Sequence, residues 1–170
     1  MSPKLHISLS NLQSNIQFFQ RIIKKNTELS AVVKSDAYGL GIAKIVPEIE
    51  RYGVRSFFTA TISEAIKVRR YSRASEIFTL NGFDFLKSNL YREHNITPII
   101  NNILEAQKFI EIFNQTQKVA IQLNTGMNRL GLDKQSLLKN IDIVKSLPLN
   151  LILSHFCLLY TSDAADDRMR

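Results

Sequence analysis

Lys34 ends an apolar run, Ala31-Val32-Val33, and opens a glycine-punctuated segment, Ser35-Asp36-Ala37-Tyr38-Gly39-Leu40-Gly41. Apolar neighbours disfavour the charged form of an amine. A neutral amine is a nucleophile for a carbonyl and forms a Schiff base with it. Tyr38 adds a hydroxyl, and Gly39 and Gly41 would let backbone N–H groups approach an anion closely. The bland alternative is a lysine at the exposed end of a strand. A second segment, Gln122-Leu123-Asn124-Thr125-Gly126-Met127-Asn128-Arg129-Leu130-Gly131-Leu132, carries Arg129. Its planar guanidinium suits a carboxylate, phosphate or phenolate oxygen. His155 in Ser154-His155-Phe156, and Leu80 in Phe78-Thr79-Leu80-Asn81-Gly82, close two further apolar runs. For these the plain readings are a structural histidine and an Asn-Gly turn.

All four features follow short runs rich in β-branched or aromatic residues. Strands are expected over 5–9, 30–33, 56–61, 76–80, 96–100, 119–123 and 150–154. Longer amphipathic stretches lie between them, over 11–25, 42–52, 63–71, 83–93, 103–113 and 134–147. Leu12, Ile16, Phe19 and Ile23 keep helical spacing, as do Leu137, Leu138, Ile141 and Val144. Ser10 or Asn11 is placed to cap the first helix and Asp133 the last. Pro47 is expected in a first turn, so that helix should start late. Regular β-α alternation argues an α/β fold with a parallel sheet, either an open doubly wound sheet or a barrel. In a barrel the C-terminal strand ends share one face. A lysine, a tyrosine, an arginine and a histidine converging there would suit an anionic carbonyl cofactor.

Composition narrows the classes. The 170 residues include one cysteine, Cys157, which excludes an intrachain disulfide framework and is compatible with a cytoplasmic setting. The start carries no long apolar signal segment. The most apolar stretch, 147–160, is interrupted by Asn150, Ser154 and His155 and is too short to span a bilayer. The net charge of +7 raises the question of nucleic acid, but the charge is scattered. Its densest cluster, Lys67, Arg69, Arg70 and Arg73, sits at an expected helix end, where cations are favoured by the macrodipole. No zinc-ligand spacing is present.

Two long motifs, VVKSDAYGLG and LNTGMNRLGL, followed by SHFC, resemble the alanine racemase family in order and approximate spacing across residues 1–156. The FTLNG segment matches the third strand more loosely. The resemblance implies a (β/α)8 TIM-type barrel that binds pyridoxal 5'-phosphate, followed by a β-rich domain. It implies interconversion of L-alanine and D-alanine for peptidoglycan by a homodimer, with no nucleic-acid or membrane partner and no metal. Lys34 matches the Schiff-base lysine, which also serves as the base for D-alanine. Tyr38 matches the tyrosine near the cofactor phosphate. Arg129 matches the arginine at the phenolic oxygen and substrate carboxylate. His155 matches the histidine that buttresses the arginine beside the pyridine nitrogen, and Leu80 falls at a cofactor-contacting position.

There are departures from the family pattern. Leu40 replaces a histidine, Asn124 an aspartate, and Gln122 a lysine that can be carbamylated. The 5–9 strand would belong with the C-terminal domain, leaving six barrel strands where closure needs eight. The second base, a tyrosine of the partner subunit, has no counterpart here. This chain is therefore expected to be an N-terminal part, inactive alone, with the C-terminal β domain absent. The composition changes at Cys157, and 157–170 are expected to be a non-native or disordered tail. Alternatives are a related racemase for serine or another small amino acid and, from a different class, a non-catalytic pyridoxal-phosphate-binding barrel.

Overall fold

The structure, a computed structural model, describes residues 4–156. The expected tail, 157–170, lies outside the described residues. Two compact units divide the described residues: 4–80 with 93–96, and 81–92 with 97–156.

The first unit begins with α1 (Leu9–Ile22), capped by Ser8, whose Oγ accepts the Asn11 N–H at 3.2 Å. Expected caps Ser10 and Asn11 are thus inside the helix. The expected 5–9 strand does not form, and Leu5 is 69% exposed. A strand needs a neighbour for its N–H and C=O groups, and Ser8 instead draws Leu9 into the helix. Three short strands follow, β1 (Ala31–Val32), β2 (Ser56–Thr59) and β3 (Glu76–Thr79), pairing in parallel in the order β1-β2-β3. Between them run α2 (Lys34–Tyr38), α3 (Ile42–Arg51) and α4 (Ile62–Arg69). Val33, Phe57, Ile77, Val46 and Val68 are buried, and Phe58 stacks on Phe78 at 4.8 Å between ring centroids. Each such side chain contributes roughly 1.5–3 kcal/mol when fully buried.

Pro47 stands inside α3, not in its first turn. The helix reaches back to Ile42 because Asp36 Oδ1 accepts the Ile42 N–H at 3.0 Å. That bond satisfies one orphan donor of the first turn.

The cationic cluster after α4 is structural at its centre. The half-buried Arg69 guanidinium donates to the carbonyls of His94, Ser72, Arg73, Ser75 and Asn95 at 2.7–3.2 Å. Burial lowers its pKa, opposed by nearby Glu50. Glu50 in turn accepts from the Ser72 and Ser75 hydroxyls at 2.6 and 2.5 Å. A guanidinium occupied on five carbonyls is no free phosphate contact.

The second unit holds α5 (Ser88–Glu93, up to Arg92), β4 (Thr97–Ile100), α6 (Ile103–Phe113), β5 (Val119–Leu123) and β6 (Leu149–Ser154). Its strands pair in parallel in the order β4-β5-β6. Phe83, Tyr91, Phe109 and Phe113 form a buried aromatic cluster with centroid separations of 4.9–5.6 Å. The expected helix over 134–147 is two short ones, α7 (Lys134–Lys139) and α8 (Ile141–Lys145). They part at Asn140, whose backbone (φ −121, ψ 28) is not helical. Asp133 caps α7 as expected, its Oδ1 accepting from Ser136 N at 2.8 Å.

Candidate active site

Lys34 follows β1 directly. Val33 is 2% exposed, and its N–H bonds the Phe58 carbonyl at 2.8 Å, extending the ladder to the residue just before the lysine. The lysine is half-buried, and among the described residues its amine has no hydrogen-bond or ion-pair partner. Its backbone then enters α2, a single helical turn of the wrong hand. Ser35, Asp36, Ala37 and Tyr38 all have φ between 52 and 55. Left-handed helix costs L-residues roughly 1–2 kcal/mol each, so this turn persists only where its surroundings hold it.

Several contacts hold it. The Ala37 N–H donates to Val33 O at 3.0 Å, and Ala37 is buried. The Gly39 and Gly41 N–H groups donate to Ser35 O and Asp36 O, both at 2.9 Å. These glycines therefore close the turn, and their N–H groups are not free for an anion as the spacing suggested. Their φ values of +82 and +90 need glycine. From outside, Glu64 of α4 accepts the Ser35 N–H at Oε1, 2.9 Å, and the Ala60 N–H at Oε2, 2.8 Å. Sequence reasoning missed Glu64. Its one local signal was the capping pattern Thr61-x-x-Glu64, and Thr61 does cap α4.

Tyr38 ends the turn with its side chain exposed. Leu80 follows β3, its N–H bonded to Thr59 O at 2.8 Å. β1 and β3 flank β2 in parallel, so Lys34 and Leu80 leave the same edge of one sheet.

Arg129 and His155 lie in the second unit, after the adjacent strands β5 and β6. The Arg129 loop is folded back on β5. Leu132 N–H bonds Gln122 O at 2.9 Å, and Asn124 N–H bonds Leu132 O at 2.8 Å. Gly131 (φ +101) makes this possible, because a Cβ there would sit 2.9 Å from Gln122 O and 3.0 Å from Asn124 N. Asn124 Oδ1 accepts from the N–H groups of Gly126 and Asn128, at 3.1 and 3.0 Å. Its Nδ2 donates to Asn128 Oδ1 at 2.9 Å, a bond an aspartate could not make. The Gln122 amide donates to Leu130 O at 3.3 Å and does not hold Arg129. Arg129 is exposed, and among the described residues its guanidinium has no partner. Thr125 and Ser154 hydroxyls bond at 2.5 Å, tying this loop to the strand end that carries the exposed His155.

A free, half-buried amine at a strand end is suited to covalent attachment of a carbonyl cofactor, and a free guanidinium to an oxyanion. The family described as "Alanine racemase, N-terminal domain" matches residues 7–169. The chain belongs to the alanine racemase N-terminal domain family. The alanine racemase of Rickettsia akari is 32% identical over 161 residues, 91% of this chain and 45% of that protein. That of Cereibacter sphaeroides (strain ATCC 17025) is 35% identical over 130 residues, 76% of this chain and 37% of that protein. The crystal structure of the Bartonella henselae alanine racemase, with covalently bound pyridoxal phosphate, superposes with a TM-score of 0.82 at 30% identity. It covers 95% of this chain and 51% of that one. The chain thus spans about half the length of the alanine racemases it matches. The fold class follows from this likeness: an α/β, TIM-type barrel of the alanine racemase family, represented here by six parallel strands. No helix among the described residues is long and apolar enough to cross a membrane. No His/Cys/Asp/Glu group suited to a metal ion occurs among them either.

Proposed function

We propose that this chain serves the pyridoxal-phosphate-dependent interconversion of L-alanine and D-alanine, as the part of an alanine racemase that attaches the cofactor. The observation that carries this reading is Lys34: a half-buried, unpartnered amine on a backbone held by β1 on one side and α2 on the other. The chemistry of each residue suits the role that the family resemblance gives it. Lys34 would hold it covalently and take or return the Cα proton on its own face. Tyr38 would hydrogen-bond the phosphate through its hydroxyl. Leu80 would pack on the ring. Arg129 would bind the phenolic oxygen and the substrate carboxylate, for which its free fork is suited. His155 would buttress the group at the pyridine nitrogen. Bound pyridoxal phosphate supplies the electron sink that acidifies the Cα–H of alanine. The intact enzyme is a cytoplasmic homodimer in this reading, since family resemblance places the second base on the partner subunit.

The test is chemical. The purified chain is incubated with pyridoxal phosphate, fixed with borohydride and mapped by peptide mass spectrometry. One dominant adduct at Lys34, absent from K34A, is the expected result. An adduct spread evenly over the surface lysines would overturn the assignment.

A further inference from the structure

We infer that Glu64 is a positioning residue for Lys34, acting through the left-handed turn. The inference rests on the reading of Lys34 given above and adds a residue that the reading does not contain.

Lys34 is fixed by its backbone alone. On its N-terminal side the Val33 N–H is held by the Phe58 carbonyl. On its C-terminal side the next peptide N–H, that of Ser35, is held by Glu64 Oε1 at 2.9 Å. The side chain between these two anchors bonds nothing among the described residues. Ser35 is also the first of four consecutive left-handed residues. A charge-assisted bond at that residue therefore fixes, from outside the turn, the Lys34–Ser35 peptide from which the left-handed turn starts. The other carboxylate oxygen takes the Ala60 N–H at 2.8 Å, just past the end of β2. One carboxylate thus registers the exit of β1 against the exit of β2. Without that bond the Lys34–Ser35 peptide, which carries the lysine's own carbonyl, would be free to rotate.

The second unit repeats the device without a lysine. Glu105 of α6 accepts from Asn101 N at 2.9 Å, past β4, and from Phe83 N at 3.3 Å, past β3. Asn102 caps that helix, as Thr61 caps α4. Glu105 is the same staple without a nucleophile at its end, and it serves as an internal control for purely structural effects.

The experiment compares wild type, E64A, E64Q and E105Q of the full 170-residue chain. Two quantities are read: the rate of borohydride-trapped pyridoxal phosphate attachment at Lys34, with its pH profile, and hydrogen exchange at the Ser35 amide. Expected are a tenfold or greater fall in Lys34 attachment in E64A and an intermediate fall in E64Q, which keeps one acceptor oxygen. E105Q is expected to attach at the wild-type rate. Ser35 exchange should quicken at least tenfold in E64A while Val33 stays protected. Attachment in E64A equal to that in E105Q, or unchanged Ser35 exchange in both Glu64 variants, would overturn the inference. Wild type failing to attach at Lys34 would count against the proposed function alone, and the Ser35 and Val33 exchange would then decide the role of Glu64.

Discussion

Glu105 and Asp133 show how single carboxylates in one chain respond to pH with opposite sign. Burial raises the Glu105 pKa, against the opposing hydrogen bonds from the Asn101 and Phe83 backbone and the Asn102 side chain. The folded chain therefore holds this proton more tightly than the unfolded chain does. Its contribution to stability falls as pH rises from the unfolded value, about 4.3, through the higher folded value. Asp133 is depressed by hydrogen bonds from the Ser136 N–H and hydroxyl. Its contribution is present above the unfolded value and is lost as pH falls through the folded one. E105Q, which mimics the protonated acid, is expected to remove the stability loss just above pH ~4.3 and leave the loss at lower pH in place. Urea unfolding midpoints across that range check this; an unchanged slope would show that Glu105 does not titrate in the fold.

At the scale of elements, the site loops depend on backbone conformations that residue type alone restricts. The Arg129 loop returns to β5 through Gly131, where both the positive φ and the close approach of Gln122 O exclude a side chain. Gly53 shares the positive φ (+88), but a Cβ there would meet only Gln20 Nε2 at 3.9 Å. G53A should therefore lose roughly 1–2 kcal/mol, the left-handed cost alone. G131A should lose more, because a backbone carbonyl must also move. Denaturant titration of the two variants tests the comparison, and equal losses would refute the close-approach argument. α3 belongs to the same scale: Asp36 caps it from within the lysine turn, so one short segment shapes both the candidate site and the helix that follows.

At the scale of the whole molecule, the chain spans 45% of the Rickettsia akari racemase. Racemisation needs a proton removed on one face of Cα and delivered on the other. In the proposed reading Lys34 serves one face only. The 170-residue chain alone is expected to acquire the cofactor at Lys34 and to form no D-alanine above the background of free pyridoxal phosphate. A coupled D-alanine assay checks this, and clear turnover would place a second base within these residues.

Much of this was written locally. β5 at Val119–Leu123 and α6 at Ile103–Phe113 have the bounds their own residues announce, because a β-branched run and a capped amphipathic stretch carry their signals within a few residues. The strand-end positions of Lys34, Leu80, Arg129 and His155 were legible for the same reason. Other features depended on groups far away in the chain. The 5–9 run alternates like a strand, yet a strand exists only with a neighbour to pair, and among the described residues it has none. The charge of Arg69 was visible, but its five carbonyl partners include residues 94 and 95, which folding alone brings to it. Four left-handed residues after Lys34 contradict local preference, and no local pattern predicts them. The sequence by itself determined which residues could do chemistry and at which strand ends they would stand. Tertiary structure alone decided how Lys34 is held, because the carboxylate of Glu64, twenty-nine residues from Ser35, stabilises a conformation that the local chain disfavours.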